Sequence, residues 1–316
     1  MRIVVTGGAG FIGSHIVDEY IEAGHEVAVL DNLWEKGGGR LANINARATF
    51  YHGDITDYEE VARIFREVKP EIINHHAAQH SVAISTQDPG LDAQVNVQGI
   101  LNVLKCAVDV EARKIIFASS GATYGVPERV PIDERTMQRP ESPYGITKMI
   151  GEHYIRYWKS AYGLAYTIFR YGNVYGPRQD PGGEAGVISI FAQHFLRREG
   201  VRIDWDGQQQ KDYVYVRDVA RANLKVLNEG DDSIFCIGTG RGVTVNEIYE
   251  TLAKIVGWTV PVTKAPKRPG DIYKAYFDLA EADRVLQWRS TVDFEEGAKA
   301  TVNFLRQREG VVERAL

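Results

Sequence analysis

The sequence predicts an α/β protein, with a doubly wound parallel sheet and a smaller mixed α/β domain toward the C-terminus. Short runs rich in isoleucine and valine alternate with helical patterns through the first half of the 316 residues. A glycine-rich turn joins the first run to the first helix, and the regular alternation ends after about Asn173. Strands separated by helices form parallel sheets covered on both faces, and these bind ligands at the carboxyl ends of their strands.

The predicted elements follow in chain order. The strands are "RIVVTG", "EVAVLDN", "EIINHHAA", "KIIFASS" and "YTIFRYGN", and the helices between them include "GSHIVDEYIEAG", "VARIFREVK" and "VNVQGILNVLKCAVDV". A long loop, "VYGPRQDPGGEAG", follows, and "YVYVRDVARANLKVL" is typical of a strand and helix that rejoin the sheet. We therefore expect a Rossmann-type domain over residues 1–172 plus about 212–236, and a second, C-terminal substrate domain over about 173–211 plus 237–316.

Composition and charge exclude several classes of protein. The net charge of −5 and the lack of a run of lysine and arginine argue against nucleic-acid binding. No apolar run approaches the roughly 20 residues that span a bilayer, so we expect a cytoplasmic protein with no membrane partner. The pair His75 and His76 has no HExxH or CxxC beside it, and Cys106 and Cys236 lie far apart. We predict no metal site and two buried free thiols.

The first turn has the spacing of a dinucleotide-binding motif. In "TGGAGFIG", Gly7, Gly10 and Gly13 lie between a predicted strand and a predicted helix. Glycines there permit a tight turn and close approach of a pyrophosphate, which the helix N-terminus attracts. A plain strand-to-helix turn is the alternative, but the position between a strand and a helix favours the dinucleotide.

Two acidic positions extend this prediction. Asp31 ends the second strand about twenty residues later, where a carboxylate accepts hydrogen bonds from both ribose hydroxyls. It would repel a 2′-phosphate, so NAD is favoured over NADP. Asp54 and Ile55, in "HGDIT", end the strand that follows "EVAVLDN" and are placed to meet the adenine; an ordinary strand-end turn is the alternative.

The stretch "SPYGITK" is predicted to begin a long helix. Ser142 is a suitable N-cap, Pro143 suits the first turn, and Gly163 marks the end. Tyr144 and Lys148 are then four residues apart and share one face. Taken alone, the pair is most simply an amphipathic surface feature.

Six motifs together resemble the extended short-chain dehydrogenase/reductase family, particularly its nucleotide-sugar epimerases. They are "TGGAGFIG" (6–13), "HHAAQHSV" (75–82), "NVQG" (96–99), "ASSGATYG" (118–125), "YGITK" (144–148) and "RYGNVYGPRQ" (170–179). The resemblance covers essentially the whole chain. It implies that the first domain binds NAD and that the second binds a UDP-sugar.

The resemblance gives the Tyr–Lys pair a chemical role. Tyr144 is the expected acid/base for a sugar hydroxyl, with Lys148 as the cation that tunes it and Ser120 as a proton relay. A free tyrosine has a pKa of about 10, so reaching 7 requires roughly 4 kcal/mol of selective stabilisation of the phenolate. The Lys148 ammonium and the charge of the nicotinamide are expected to supply it. Of the serine pair, Ser119 suits a capping role.

The same resemblance implies two sets of contact residues. The expected cofactor contacts are Gly7, Gly10, Phe11, Ile12, Gly13, Asp31, Asn32, Asp54, Ile55, Ala77, Ala78, Gln79, Asn96, Tyr144, Lys148 and Tyr171. The expected substrate contacts are Ser120, Tyr144, Asn173, Val187, Lys211, Arg268, Asp271 and Ala275.

The implied reaction is reversible C4 epimerisation of UDP-glucose and UDP-galactose through a 4-keto sugar with tightly bound NAD. Related dehydratases and decarboxylases carry acidic residues after the Ser/Thr, where this chain has Gly121 and Ala122. Without a carboxylate there, elimination or a second proton abstraction lacks its obvious agent. A 4-keto reductase or 4,6-dehydratase remains the alternative among enzymes. A non-enzymatic NAD-sensing protein is the alternative from another class.

The resemblance also bears on nucleotide, sugar and assembly. Asn173 and Arg268 are expected at the substrate pyrophosphate and Asp271 at the ribose or uracil, whereas two positions depart from the family pattern. Those departures are Lys211, where arginine is commoner, and Asp204, where an aromatic often stands. Ala275 corresponds to the gate beside the sugar C2 substituent and leaves room for an N-acetyl group. The family suggests a homodimer; the apolar positions Val97, Leu101, Leu104 and Val108 suit either a dimer interface or the core.

Overall fold

The protein is described here by a computed structural model, which covers residues 1–182, 186–267 and 272–310. The strands are β1 Arg2–Thr6, β2 Glu26–Asp31, β3 Thr49–His52, β4 Ile72–His75, β5 Lys114–Ser120, β6 Ala165–Tyr171, β7 Asn173–Tyr175, β8 Val201–Asp204, β9 Gln210–Tyr215, β10 Ser233–Ile237, β11 Gly242–Thr244, β12 Val262–Ala265 and β13 Lys274–Ala275. The α-helices are α1 Phe11–Glu22, α2 Tyr58–Val68, α3 Val82–Gln87, α4 Pro89–Ala93, α5 Gly99–Asp109, α6 Pro143–Tyr162, α7 Val187–Arg197, α8 Val216–Lys225, α9 Val245–Val256, α10 Ala280–Leu286 and α11 Phe294–Glu309.

The main sheet has seven parallel strands in the order β10-β6-β5-β4-β1-β2-β3. Its direction of winding reverses between β1 and β4, so the loops after these two strands part and leave a crevice at their carboxyl ends. The interiors of the central strands are buried because helices cover both faces. The predicted doubly wound α/β fold is confirmed.

Two apolar cores flank this sheet. One contains residues of α1, α8 and α10, such as Ile16, Val219 and Leu286. The other contains residues of α2, α5 and α6, such as Phe65, Leu104 and Ile155. The helix α6 therefore lies against the sheet with one face buried, which fixes where its first turn projects.

The smaller part has its own sheets and a third core. A four-stranded sheet has the path β11-β9-β13, with β7 also paired to β9, and β12 pairs with β8. The third core packs α7, α9 and α11 together and includes Phe195, Ile248 and Val302.

One predicted element lies in a different sheet from the one expected. The strand of "YVYVRDVARANLKVL" is β9, which belongs to the smaller sheet, while α8 packs on the first core and β10 completes the main sheet. The reason is that β9 is apolar on both faces. Tyr213 and Tyr215 are buried in the third core and Val214 in the first, so the sequence pattern suits either sheet.

The long helix has the predicted ends. Ser142 accepts a 3.1 Å hydrogen bond from the Gly145 amide, and Gly163 closes α6 in the left-handed region at φ +77°. The prediction of two buried free thiols is also confirmed, for Cys106 and Cys236. Within the three described ranges, none of the helices has the length and apolar character needed to cross a membrane.

Candidate active site

A cavity of about 770 Å³ opens at the carboxyl ends of the central strands. It extends from the turn after β1 to β9 and β13 of the smaller sheet, and its size falls within the roughly 300–1,000 Å³ of small-molecule sites. The predicted site residues in its wall are Gly7, Gly10, Phe11, Ile12, Gly13, Asp31, Asn32, Asp54, Ile55, Ala77, Ala78, Ser120, Tyr144, Lys148, Tyr171, Asn173, Lys211 and Ala275.

The turn after β1 admits only glycine at two positions. Gly7 has φ +72°, and a Cβ there would lie 2.6 Å from the Ala77 amide nitrogen. A Cβ on Gly13 would lie 2.2 Å from the Gly7 carbonyl oxygen. The turn therefore packs closely against the β4 loop and exposes the N-terminus of α1 to the cavity, where an anion is favoured.

Asp31 is held in place by the backbone around it. Its carboxylate accepts hydrogen bonds from the Ala9 amide at 3.0 Å and from the Leu33 amide at 2.8 Å. Burial raises the pKa of Asp31, and these two bonds oppose that shift. Each oxygen keeps a lone pair for a ligand hydroxyl.

The neighbouring polar pair is more exposed. The Asn32 side-chain amide donates to Asp54 at 2.8 Å, and Thr56 donates to the same carboxylate through its amide and its hydroxyl. Burial alone would raise the pKa of Asp54, but these hydrogen bonds outweigh it and leave the pKa below its usual value. A carboxylate anchored in this way presents a fixed polar edge to the cavity.

Lys148 is buried and pinned to the sheet. Its ammonium donates a 2.8 Å hydrogen bond to the Ala118 carbonyl oxygen of β5 and lies 5.0 Å from the centre of the Phe117 ring. The same nitrogen is 5.9 Å from the centre of the Tyr144 ring. Burial lowers the pKa of Lys148 to about 8, while the nearby charge of Asp92 raises it.

The protein groups around Tyr144 raise the pKa of its phenol, whereas the lowering expected from the sequence also includes the charge of bound NAD. Burial raises the pKa of its phenol to about 12, a hydrogen bond with Ser120 lowers it, and Asp92 raises it. Lys148 alone therefore does not supply the lowering of the Tyr144 pKa that was expected from Lys148 and the nicotinamide together. Desolvation of the phenolate is the larger effect, and a cationic ligand beside Tyr144 has to supply the stabilisation.

Of the two serines at the end of β5, Ser119 has a different role from the one expected. Ser120 faces the cavity and also accepts the Ala122 amide at 3.1 Å, so it caps the turn that Ser119 was expected to cap. Ser119 instead donates to Glu152 at 2.5 Å. Glu152 is ion-paired with Arg170 in the buried interior, so Ser119 ties β5 to α6.

Three predicted contacts lie outside the cavity wall. The Gln79 and Asn96 side chains turn inward, where Asn96 donates to the Gln79 carbonyl oxygen at 2.8 Å and accepts from its amide at 2.9 Å. Val187 begins α7 and packs against the third core. In all three, the sequence placed the residue near the site but could not show which way its side chain points.

The substrate end of the cavity is built on paired strands. Ala275 of β13 lies opposite Lys211 of β9, and both contribute to the wall. Asn173 donates to the Asp212 carbonyl oxygen at 3.1 Å. Asp204 is not in the wall, and its carboxylate accepts a hydrogen bond from Arg202 at 2.6 Å. Arg268 and Asp271 lie outside the described residues.

Among the wall residues that sequence reasoning missed, Arg178 and Gln179 have unsatisfied polar atoms. Arg178 has a buried nitrogen, Nη1, and Gln179 a buried oxygen, Oε1, that lack a hydrogen-bond partner in the protein. Arg178 also pairs with Asp18 of α1 at 2.7 Å, which places it beside the helix that begins at the glycine turn. Both residues end the quoted motif "RYGNVYGPRQ", which was the available signal.

These features fit a dinucleotide. The turn around Gly7 and Gly13 leaves the N-terminus of α1 open to the cavity, and Arg178 and Gln179 of the same wall each have a buried polar atom without a hydrogen-bond partner in the protein. Buried polar groups without partners are costly, so a polar ligand is the natural source of these hydrogen bonds. NAD carries pyrophosphate, ribose and amide groups that would form hydrogen bonds of this kind.

The sequence and the fold of this chain are similar to those of known NAD-dependent nucleotide-sugar enzymes. Residues 3–238 match the model of the NAD dependent epimerase/dehydratase family. The fold is similar to a UDP-glucose 4-epimerase of Thermotoga maritima solved with UDP-glucose, at 47% identity and a TM-score of 0.95, covering 98% of this chain and 100% of that one.

Two further solved structures are similar over nearly the whole chain. One is a UDP-glucose 4-epimerase of Thermus thermophilus in complex with NAD, at 43% identity and a TM-score of 0.92, covering 99% and 100% of the two chains. The other is a UDP-N-acetylglucosamine 4-epimerase of Methanobrevibacter ruminantium in complex with UDP-N-acetylmuramic acid. It has 32% identity and a TM-score of 0.91, covering 97% and 98%.

Proposed function

The chain belongs to the NAD-dependent epimerase/dehydratase family, and on that premise we propose that it interconverts UDP-glucose and UDP-galactose by epimerisation at C4. It is an NAD-dependent enzyme of the isomerase class. The observation that carries the proposal is the grouping of Ser120, Tyr144 and Lys148 in one wall of a cavity that also contains the glycine turn.

Side chains of the protein remove and return the proton of the sugar hydroxyl. Tyr144 takes the proton from O4 and later returns it, Ser120 shares it through their hydrogen bond, and Lys148 holds a positive charge beneath the ring. Bound NAD supplies the hydride acceptor and donor for C4. The sugar passes through a 4-keto form and must present its other face before reduction, so the anchor has to be the nucleotide.

Two residues favour epimerisation over elimination. Gly121 and Ala122 line the cavity directly after Ser120, where a dehydratase would place its acidic groups. The carboxylates among the described wall residues are elsewhere: Asp31, Asp54, Asp180 and Asp212. Of these, Asp212 is buried and already accepts hydrogen bonds from Thr239, Gly240 and Phe277. A second acid/base next to Tyr144 is therefore not provided by these residues.

The nucleotide anchor rests on Asn173 and Lys211 from the described chain, with Arg268 and Asp271 as further proposed contacts. Ala275 supports acceptance of N-acetylated UDP-hexosamines, because its small side chain lies in the wall beside Lys211. One solved relative is itself a UDP-N-acetylglucosamine 4-epimerase.

The assembly proposed is a homodimer formed through α5 and α6. Of the four positions considered, Leu104 belongs to the core, whereas Val97, Leu101 and Val108 are only partly buried. On α6, Tyr157 and Tyr162 are 58% and 57% exposed, which is unusual for large aromatic side chains and suits a partner surface. Sedimentation at two or more concentrations tests whether the protein is a dimer.

The compartment proposed for the protein is the cytosol, because its two cysteines are free thiols. Cell fractionation tests this.

The deciding experiment adds UDP-galactose to the purified protein without added cofactor and separates the products by chromatography. UDP-glucose is expected, because NAD is regenerated in each turnover and stays bound. Tyr144→Phe is the control and should abolish product while retaining NAD. No product from the wild type, even with NAD added, contradicts the proposal.

A further inference from the structure

A buried carboxylate beneath the Tyr144–Lys148 face has no part in the mechanism above. Asp92 of α4 has 0% exposure and does not contribute to the cavity wall. Its carboxylate accepts a 2.8 Å hydrogen bond from the hydroxyl of Thr147, which lies between Tyr144 and Lys148 in α6. The acid is therefore attached to the catalytic helix at the turn that carries both functional side chains.

The other donors to Asp92 are neutral amides with defined orientations. Gln79 donates to Oδ1 at 2.8 Å and Asn96 donates to the same oxygen at 3.0 Å. The Gln79 amide cannot be reversed, because its oxygen accepts from the Ser81 amide. The orientation of the Asn96 side chain is fixed in the same way, because its oxygen accepts a hydrogen bond from the backbone amide of Gln79. The described residues thus offer Asp92 three neutral donors and no direct ion pair.

These hydrogen bonds do not require a negative charge. An asparagine at position 92 keeps Oδ1 as the acceptor for both amides, and its nitrogen donates to the Thr147 hydroxyl. Thr147 can then donate to the Tyr144 carbonyl oxygen, 3.1 Å away. Burying a charge costs several kcal/mol even after relaxation, so a charge that the network does not need has to be explained by another group.

The charged group that Asp92 acts on is Lys148. The Lys148 ammonium has a neutral hydrogen-bond acceptor, the Ala118 carbonyl oxygen. From β4 it faces His75 and His76, whose pKa values burial and Lys148 itself hold well below the usual value, so both are neutral at pH 7.

On its own helix, Lys148 faces Tyr144, and Glu152 one turn further on is already neutralised by Arg170 at 2.6 Å. From β5, the facing groups are Phe117, Ser119 and Ser120, which carry no charge. Among the described residues, Asp92 is therefore the negative charge left to balance the ammonium.

We propose that Asp92 is the buried counter-charge of Lys148. It is a positioning residue that stabilises the charged form of Lys148 and destabilises the phenolate form of Tyr144. Asp92 thereby sets the pH range in which the pair operates. It touches neither the cavity nor a ligand there. The inference rests on the proposed function, because the roles of Tyr144 and Lys148 come from it. In agreement, the charge of Asp92 raises the pKa of both groups.

Asp92→Asn tests this by removing the charge and keeping the shape. Both limbs of the pH profile of kcat/KM should move to lower pH by about one unit, the acid limb because Tyr144 ionises more easily and the alkaline limb because Lys148 loses its proton more easily. A second readout does not use activity. The NMR titration of 13Cζ-labelled Tyr144, assigned with Tyr144→Phe in the NAD-loaded protein, should shift in the same direction.

The matched control is Asp88→Asn. Asp88 is the exposed N-cap of the same helix, and asparagine caps a helix as well as aspartate does. The control removes the same unit of charge and should move neither limb. If Asp92→Asn does not fold, Asp92→Ser, with a smaller neutral side chain, provides the same comparison.

A loss of rate with both limbs and the Tyr144 titration unmoved would overturn the inference and leave Asp92 a structural residue. Failure of the proposed function is distinguishable from this. In that case the wild type does not convert UDP-galactose, while the Tyr144 titration still reports whether Asp92 acts on the pair.

Discussion

The Lys148 ammonium donates a 2.8 Å hydrogen bond to the carbonyl oxygen of Ala118, and this hydrogen bond joins the catalytic helix to the strand that ends at Ser120. Ala118 precedes Ser120 by two residues, so the bond and the serine hydroxyl belong to one rigid stretch of β5. The relative position of acid/base, cation and relay is thereby set by the main sheet and not by a loop.

The alkaline limit of activity should follow from Lys148. Because burial lowers the pKa of Lys148 to about 8, the ammonium predominates at pH 7 and is lost as the pH rises through 8. The kcat/KM for UDP-galactose should therefore fall above about pH 8. A pH profile from 6 to 10 measures this, with NAD content determined at each pH to exclude loss of cofactor. Constant activity up to pH 9.5 would show that Lys148 stays charged or is not required.

Arg178→Ala should weaken NAD binding. The variant removes the buried nitrogen that lacks a protein partner, and a charge-assisted hydrogen bond of about 1.5–3 kcal/mol corresponds to roughly 10- to 100-fold in affinity. Calorimetric titration of cofactor-free protein with NAD measures the change.

The matched control for Arg178 is Arg217→Ala, which removes a nearby exposed charge that is not in the cavity wall. Its affinity should equal that of the wild type. Equal losses in the two variants would mean that general electrostatics, and not a contact from Arg178, attracts the cofactor.

Ala275→Tyr should separate the two classes of sugar. A tyrosine at this place in the wall fills the space proposed for an N-acetyl group, so kcat/KM for UDP-N-acetylglucosamine should fall roughly tenfold or more, while that for UDP-galactose changes little. Lys274→Tyr, on the adjacent exposed residue outside the wall, is the control. The prediction fails if the wild type neither converts nor binds UDP-N-acetylglucosamine.

His15 should make the fold sensitive to acid. Burial, with Arg178 as a further cause, lowers the pKa of His15 to about 4, so the folded state binds fewer protons than the unfolded state below pH 6.5. This contribution to stability is complete above pH 6.5 and is lost progressively as the pH falls toward 4.

The variant His15→Gln keeps a donor for the Pro177 carbonyl oxygen, which His15 contacts at 3.0 Å, and removes the titration. Between pH 7 and 4.5, its free energy of unfolding should decrease by about 2 kcal/mol less than that of the wild type. Urea denaturation at several pH values measures both curves. Parallel curves would mean that His15 does not change its protonation on unfolding.

The sequence by itself determined the features that depend on residues near one another in the chain. The glycine turn, the capped ends of α6 and the shared face of Tyr144 and Lys148 follow from backbone conformation and helical periodicity, and the structure reproduces each. The alternation of apolar strands and helices determined the parallel sheet in the same way, because burial on both faces leaves a continuous apolar run.

Only the tertiary structure decided which side chains reach the cavity. Gln79 and Asn96 bond to each other across 17 residues, and Asp92 meets Thr147 across 55, so no local pattern could reveal that they form a layer beneath the site. The sequence also did not decide which sheet contains β9, because both faces of this strand are apolar. The orientation of a side chain depends on contacts between distant segments. The free energies of buried charges and hydrogen bonds become large only when those segments pack together and exclude water.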